Sequence, residues 1–365
     1  MSKLKALFES TCVKAGIPGL ACAITVKGNV HYYYAGQHSH LNGATKVSRE
    51  TIFDLASLTK VLTTHQLCLR LISENRLGFD DRVGEYIPEC SPWLSEVPIW
   101  RLANHTSGLP AHVKFYEETG PRVLKQGDFT QAYRWVVDTI TQTPQDYVPG
   151  SNQIYSDLGY ILLARICETV SAPLTTVFDT LFLHKRNDLS QIHWRPSLVT
   201  PSHTRAERYA STEQCPWRKR LLTGEVHDDN CWTMGGIAGH AGSFGTLAAV
   251  HELSNQWLRT LRGDENQLGI DPQIIAESRS PKYTYQNNTR TLGWDRTSPK
   301  ASSSGQYFTP LSPGHLGFTG TSTWLDLDAN VSVTLLTNRV CPTRETTEIK
   351  WVRPFIHDTL RQHHT

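Results

Sequence analysis

The tetrad Ser57-Leu58-Thr59-Lys60 falls where the chain changes from a strand pattern to a helix pattern. Thr51-Ile52-Phe53-Asp54-Leu55 reads as a short strand, and from Ser57 onward Leu58, Val61, Leu62, Leu69 and Ile72 lie on one stripe of an amphipathic helix. That period places Ser57 at the helix start and Lys60 one turn later on the same face, which brings an amine to a hydroxyl. The orphan N–H groups at a helix start stabilise an alkoxide or oxyanion held there. A lysine desolvated in such a cleft has a lowered pKa and can act as a base on serine. Ser2 and Lys5 repeat the spacing with no strand before them, so context rather than spacing singles out Ser57.

A chain of 365 residues can bury one large core or two lobes. Its 36 Lys and Arg against 34 Asp and Glu leave a formal charge of +2, and the cluster Arg218-Lys219-Arg220 stands alone. Neither supports a nucleic-acid partner. Glu9 interrupts the N-terminal stretch before a secretory core can form, and no later run reaches the apolar length of a membrane span. The expectation is a cytoplasmic protein without a transmembrane segment, unless a leader has been removed. Eight cysteines, at 12, 22, 68, 90, 167, 215, 231 and 341, form no Cys-x-x-Cys pair and read as reduced, buried residues.

Residues 1–16 read as an amphipathic helix stopped by Gly16-Ile17-Pro18-Gly19, followed by strands 20–26 and 30–34 around a Lys27-Gly28-Asn29 hairpin. Helical patterns cover 129–141, 158–170 and 247–261. Strands return at 291–295, 316–327 and 331–338, with a hairpin at Asp328-Ala329-Asn330, and 345–364 is a closing helix. Strands at both ends and helices between them predict an α/β plus all-α fold. An antiparallel sheet flanked by helices is built from 1–60 and 290–365, and a mostly helical lobe from 61–289 is inserted into it. Ser57 lies at the junction, where a cleft between lobes would form.

Five stretches together resemble the serine β-lactamase and penicillin-binding-protein superfamily, nearest its class C β-lactamase, D,D-peptidase and esterase-like branch. They are Phe53 to Lys60, Leu102-Ala103-Asn104-His105-Thr106-Ser107-Gly108-Leu109-Pro110, Tyr155-Ser156-Asp157-Leu158-Gly159-Tyr160, Gly235-Gly236-Ile237-Ala238-Gly239, and His315-Leu316-Gly317-Phe318-Thr319-Gly320-Thr321. The resemblance implies acyl transfer through a serine ester, without a cofactor or metal. Ser57 is then the nucleophile and Lys60 its activating partner, while Tyr155 exchanges a proton with the nucleophile or leaving group. A phenol beside an ammonium is expected to have its pKa pulled down. The oxyanion hole is expected from the backbone N–H groups of Ser57 and Phe318, each contributing on the order of 3 kcal/mol. Gly317 would let substrate approach the strand.

Two departures bear on the substrate. The second motif ends in Asp157 where the family usually has Asn, and a carboxylate near Lys60 favours the ammonium, shifting base work toward Tyr155. Alternatively, Asp157 caps the helix starting at Leu158. The usual Lys-Thr-Gly is here His315-Leu316-Gly317, with no hydroxyl at Leu316 and a mostly neutral His315, so recognition of a substrate carboxylate should be weaker. Protonation of His315 below about pH 6.5 should then improve it. Asp157, His315, Leu316 and Gly317 are thus the candidate substrate-binding residues. His240-Ala241-Gly242 is a rival third motif, set aside because it precedes a helix; His105, in a Gly/Pro turn, reads as structural. The acidic loop Gly224 to Asn230 matches no metal template and reads as cleft rim. Most of the ten tryptophans are expected in the core.

The chain therefore reads as a serine hydrolase forming an acyl-enzyme with D-amino-acid peptides, in the manner of a D,D-carboxypeptidase, or with small carboxylic esters. The alternatives are a weak β-lactamase and a catalytically poor penicillin-binding-like module that binds cell-wall peptides. The partner is a small-molecule or peptide substrate, and the sequence leaves the oligomeric state open.

Overall fold

A computed structural model describes residues 3–182, 192–194, 207–286 and 290–365. A six-stranded antiparallel sheet forms from β1 (Gly19–Val26), β2 (Asn29–Gly36), β6 (Asp295–Arg296), β7 (Pro313–Leu316), β8 (Ser322–Asp326) and β9 (Val331–Thr337). Its order is β2-β1-β9-β8-β7-β6, so the two ends of the chain pair along β1 and β9, from Leu20 opposite Thr337 to Val26 opposite Val331. A smaller sheet pairs β3 (Ile52–Asp54) with β5 (Ser243–Thr246), which also pairs with β4 (Ile192–Trp194). The mixed fold with its antiparallel sheet from both termini is the one expected.

The β1–β2 connection turns at Lys27 and Gly28, with φ of 51° and 79°, the pair of positive values that a right-twisted two-residue hairpin needs. Helix α1 (Lys3–Ala15) and helix α5 (Ile349–His364) cover one sheet face, where Phe8, Ile24, Val333, Leu335, Val352 and Ile356 share a core. Helix α4 (Leu247–Arg262) covers the other face through polar contacts: His251 bonds Thr25 (2.8 Å) and Thr334 (2.9 Å), and Ser254 accepts from Thr323 (2.9 Å). Every residue of β9 is buried, as a central strand between two helical layers must be. All eight cysteines are free and buried. Among the described residues no helix is long and apolar enough to cross a membrane.

Helix boundaries follow the sequence signals. The helix Phe129–Thr141 starts at Asp128, whose carboxylate accepts from the amide of Gln131 (2.9 Å), and α4 starts at Thr246, which accepts from Ala249 (3.4 Å). Three expectations are corrected. The stretch 316–327 is not one strand, because a turn at 317–321, closed by the Gly317 amide on the Thr321 carbonyl (2.8 Å), divides β7 from β8. The stretch 291–295 keeps only its last residue as strand, because Gly293 (φ 76°) turns against His65, where a Cβ would sit 2.5 Å from the ring. The helix after Ser57 begins as a π-helix (Lys60–His65) that is buried on every side, and α2 (Gln66–Ser73) follows it with only Arg70 and Ser73 half-buried. Its polar side chains bond neighbouring segments instead: Thr59 with Ser243 (2.6 Å), and Thr64 with the Gly239 carbonyl (2.7 Å).

Burial holds His65, His251 and His357 neutral, with pKa values of about 3 against an ordinary 6.5. As pH falls below 6.5 the unfolded chain takes up protons that the folded one refuses, so stability drops with acid. At pH 5.5 the three together should remove about 4 kcal/mol relative to pH 7.5. Urea midpoints at the two pH values check this, and His251→Gln should remove about a third of the difference.

Candidate active site

Ser57 is placed by a latch around the end of β3. The buried Asp54 carboxylate accepts from the amides of Ala56 (2.8 Å) and His227 (2.7 Å), and Ala56 takes a left-handed φ of 46°, unusual for a residue with a side chain. Burial pushes the Asp54 carboxyl up, and those two amides hold it back. The next carbonyls are tied to the 317–321 turn: Thr319 donates to Asp54 O (2.7 Å) and Thr321 to Leu55 O (3.0 Å). The backbones of Ser57 and Phe318, the two expected oxyanion donors, are thus fixed relative to each other. Gly317 is where the segments touch, since a Cβ there would lie 2.0 Å from Thr321 Oγ1 and 2.6 Å from Leu55 O. Arg353, on α5, braces the same turn by donating to the carbonyls of Gly317 (2.6 Å) and Thr321 (3.0 Å).

Lys60 is fully buried, and its Nζ donates to Ser57 Oγ (3.0 Å), Asp157 Oδ1 (2.8 Å) and the His240 carbonyl (3.1 Å). Burial opposes the ammonium charge, but Asp157 and Tyr155 together outweigh it and hold Lys60 above its ordinary value. Asp157 in turn is held well below the carboxylate range, its own burial overcome by Lys60 and by a hydrogen bond with His112 Nδ1 (3.2 Å). Asp157 is not the helix cap: Ser156 fills that role for α3 (Asp157–Val170), accepting from the Gly159 amide (3.2 Å), and leaves the Asp157 carboxylate free for Lys60.

Tyr155 lies with its ring 4.9 Å from Lys60 Nζ. The expected downward pull on the phenol is corrected. Burial raises its pKa and Asp157 adds to the rise, so Lys60 only partly offsets them. His105 stacks against Tyr155 (4.6 Å) and accepts from the Ser156 amide (3.0 Å), a positioning role.

His315 also departs from expectation. Its ring is buried, Nδ1 donates to the Leu316 carbonyl (2.9 Å), and burial with the charges of Lys60 and Arg290 holds it well below 6.5. It stays neutral throughout the neutral and mildly acid range, so the proposed gain in carboxylate recognition below pH 6.5 has no basis. Ser57, Tyr155, Asp157, His315, Leu316 and Phe318 line one cleft of about 800 Å³, and Phe318 stands half exposed at its mouth. The rival His240-Ala241-Gly242 contributes the carbonyl that holds Lys60 and the cleft-lining Ala241. From the acidic loop, Asp228 caps the helix Asp229–Thr233 and Asp229 pairs with Arg218 (2.8 Å), while both line the cleft. Sequence reasoning missed His112, the Asp54 latch and Arg353. Only Asp54 carried a signal, as a polar residue closing an apolar strand.

A serine bonded to a buried lysine at the edge of an antiparallel sheet, within a mixed α/β and helical fold, fits a serine hydrolase. The chain belongs to the Beta-lactamase family, whose sequence profile matches residues 4–353. It is 29% identical over 355 residues to the N-acetylmuramyl-L-alanine amidase of Bacillus subtilis (strain 168), covering 90% of this chain and 78% of that protein. It is 28% identical over 356 residues to a putative D-alanyl-D-alanine carboxypeptidase of Salmonella agona (strain SL483), covering 90% and 80%. Among solved structures, EstCE1, a hydrolase with promiscuous acyltransferase activity, superposes with a TM-score of 0.69 over 96% of this chain and 98% of that one. At 19% identity that likeness speaks for the fold.

Asp54→Ala strands two buried amides and should cost about 2–4 kcal/mol of stability. It should also lower kcat/KM for a p-nitrophenyl ester at least tenfold by loosening the turn that carries Ser57. Urea unfolding and ester kinetics on one sample measure both.

Proposed function

We propose that Ser57 attacks a small amide or ester whose leaving group carries no carboxylate beside the scissile bond. The reference case is an amide between the lactyl group of an N-acetylmuramyl sugar and L-alanine. The observation that carries this reading is the wall formed by His315 and Leu316. One is buried and neutral and the other apolar, so that strand offers neither a cation nor a hydroxyl to a leaving-group carboxylate. The amidase relative fits a substrate of this kind. A second reading, D,D-carboxypeptidase activity, draws on Arg339 and Arg353, which line the same cleft. The cleft lies where the sheet lobe of 1–60 and 290–365 meets the mostly helical 61–289, and these are the proposed domain units.

In the proposed acylation, Lys60 stays an ammonium, because Asp157 stabilises its charge. It orients Ser57 Oγ and lowers the energy of the alkoxide forming there. The Ser57 proton passes to Tyr155 as phenolate and from Tyr155 to the leaving nitrogen or oxygen, while the carbonyl oxygen takes its charge to the Ser57 and Phe318 amides. Water then attacks the ester carbonyl with Tyr155 accepting its proton, and Tyr155 returns that proton to Ser57 Oγ as the acyl–Oγ bond breaks and the acid product leaves.

Because the Tyr155 phenol is pushed above its ordinary value, phenolate is a minor form at pH 7, and kcat/KM for a neutral ester should rise with pH up to the alkaline range. Asp157→Asn removes a charge that raises that phenol, so the limb should move to lower pH. An unmoved limb, or one displaced upward, would reject the phenolate base. Ser57→Ala should abolish turnover with the circular dichroism unchanged.

Substrate choice is read from product release by the wild-type enzyme at pH 8. N-acetylmuramyl-L-alanyl-D-isoglutamine should be cleaved at the lactyl amide at least ten times faster than diacetyl-L-lysyl-D-alanyl-D-alanine loses D-alanine. The reverse order would establish the carboxypeptidase reading. Stoichiometric binding of both without product would mark a binding module.

A further inference from the structure

His112 lies outside every motif the sequence marks, yet the fold builds a seat for it on the wall of the catalytic cleft. The loop before it is stitched to the start of α3: Ser156 Oγ donates to the Pro110 carbonyl (2.7 Å), and the Asp157 amide to the Ala111 carbonyl (2.9 Å). The loop after it is stitched to Asn230, whose side chain donates to the Val113 carbonyl (2.8 Å) and accepts from the Tyr116 amide (3.0 Å). His112 is exposed, but with the backbone fixed on both sides only its own side-chain torsions are lost on ordering the ring. The ring meets the Asp157 carboxylate through Nδ1, 3.2 Å from Oδ2. The other oxygen, Oδ1, accepts from Lys60 Nζ (2.8 Å), which in turn donates to Ser57 Oγ (3.0 Å). A line of hydrogen bonds thus runs from an imidazole in contact with solvent to Ser57. Among the described residues the Asp157 side chain has hydrogen-bond partners only in Lys60 and His112, because Ser156 and not Asp157 caps α3. Without His112, rotation about the Asp157 Cβ–Cγ bond would let either oxygen turn to water in the cleft, and the buried ammonium would lose a fixed counter-charge.

We infer that His112 is a positioning residue: its Nδ1–H holds the Asp157 carboxylate in the rotation that presents Oδ1 to Lys60, and its charge state adjusts the pull of that carboxylate on Tyr155. The second half rests on the proposed role of Tyr155 in exchanging the Ser57 proton. The charged and titratable groups around the ring are Asp157 on α3, with Lys60 behind it, and Asp228 and Asp229 of the acidic loop, with His240 bonded to Asp228 (3.0 Å). On its own loop stands Lys114, which pairs with Glu117 (3.2 Å). The hydrogen bond to Asp157 leads in holding the imidazolium above its ordinary 6.5 against burial, and the charges of Asp157, Asp228 and Asp229 add to it. As pH falls the ring gains a proton and partly cancels the Asp157 charge, so the phenol that this charge raises comes down. Phenolate is then less scarce than beside an uncharged donor, and the wild type should resist acid better than a variant that carries one.

Three variants separate these roles, each read as kcat/KM for p-nitrophenyl acetate, with circular dichroism and urea midpoints verifying the fold. His112→Phe keeps the bulk of the ring, removes the donor and should lose about tenfold. His112→Asn sets an amide N–H near the position of Nδ1 and should recover most of that loss. His112→Gln sets its amide near the position of Nε2, away from Asp157, and should behave as the Phe variant. Between pH 8.5 and pH 6 the ratio of wild-type to Asn-variant activity should rise about threefold, a change that a merely structural histidine would not produce. A Phe variant as active as the wild type, or equal activity in the Asn and Gln variants, would overturn the inference. So would a flat ratio in a protein whose alkaline limb Asp157→Asn does displace. An undisplaced limb overturns the phenolate reading itself, and the difference between Asn and Gln then still decides whether His112 positions Asp157.

Discussion

A lysine ammonium with no exposure to water is the constraint around which this molecule is assembled. Removing such an ion from solvent costs several kcal/mol even after relaxation, and only well-placed oxygens offset it. Here they come from three separate segments, Ser57 in the turn after β3, Asp157 at the start of α3 and His240 before β5. None of the three can move without leaving the charge uncompensated. Ser57, the second motif and the glycine-rich segment before β5 are therefore held together by one electrostatic requirement rather than by apolar packing alone. The Asp54 and Thr321 bonds add the remaining wall, fastening the turn at 317–321 to the same point.

Much of the architecture was legible in the sequence. Helix starts were marked by Asp128 and Thr246, both hairpins by their turn residues, and the two-ended sheet by strand patterns at both termini. Motif spacing pointed to Ser57, Lys60 and Tyr155, and the fold brings Lys60 Nζ to 3.0 Å from Ser57 Oγ and 4.9 Å from the Tyr155 ring. What was not legible depends on contacts across the fold. The stretch 316–327 reads as one strand because its apolar residues continue, whereas the turn inside it exists because Gly317 packs against Leu55 O, 262 positions earlier. The π-helix and the burial on all sides of the Lys60 helix likewise follow from neighbours that bond Thr59 and Thr64, which a one-dimensional stripe cannot show. His112 carried no signal, being a single histidine in a loop that meets Asp157 only in three dimensions.

The titration behaviour diverged from the sequence reading for a single reason. The sequence reading sets Tyr155 by the ammonium beside it and His315 by an unperturbed imidazole, but both are buried, and burial acts on each first. A phenol near an ammonium therefore stays protonated, and a histidine near the cleft stays neutral. The Asp157 substitution works the other way. It adds a charge that favours the lysine ammonium and at the same time raises the phenol.

The position of β9 carries a consequence for the way the enzyme comes into being. This strand is the seam of the large sheet, pairing with β1 on one side and β8 on the other, and α5, which supplies Arg353, follows it in the chain. As a ribosome delivers the chain, Ser57, Lys60 and Asp157 emerge long before the segment that closes the sheet and steadies the 317–321 turn. Contacts of such long sequence separation form late. A nascent chain would thus present Ser57 before the turn that carries Phe318 is held in place, and the proposed acyl chemistry would wait until β9 and α5 have emerged and docked.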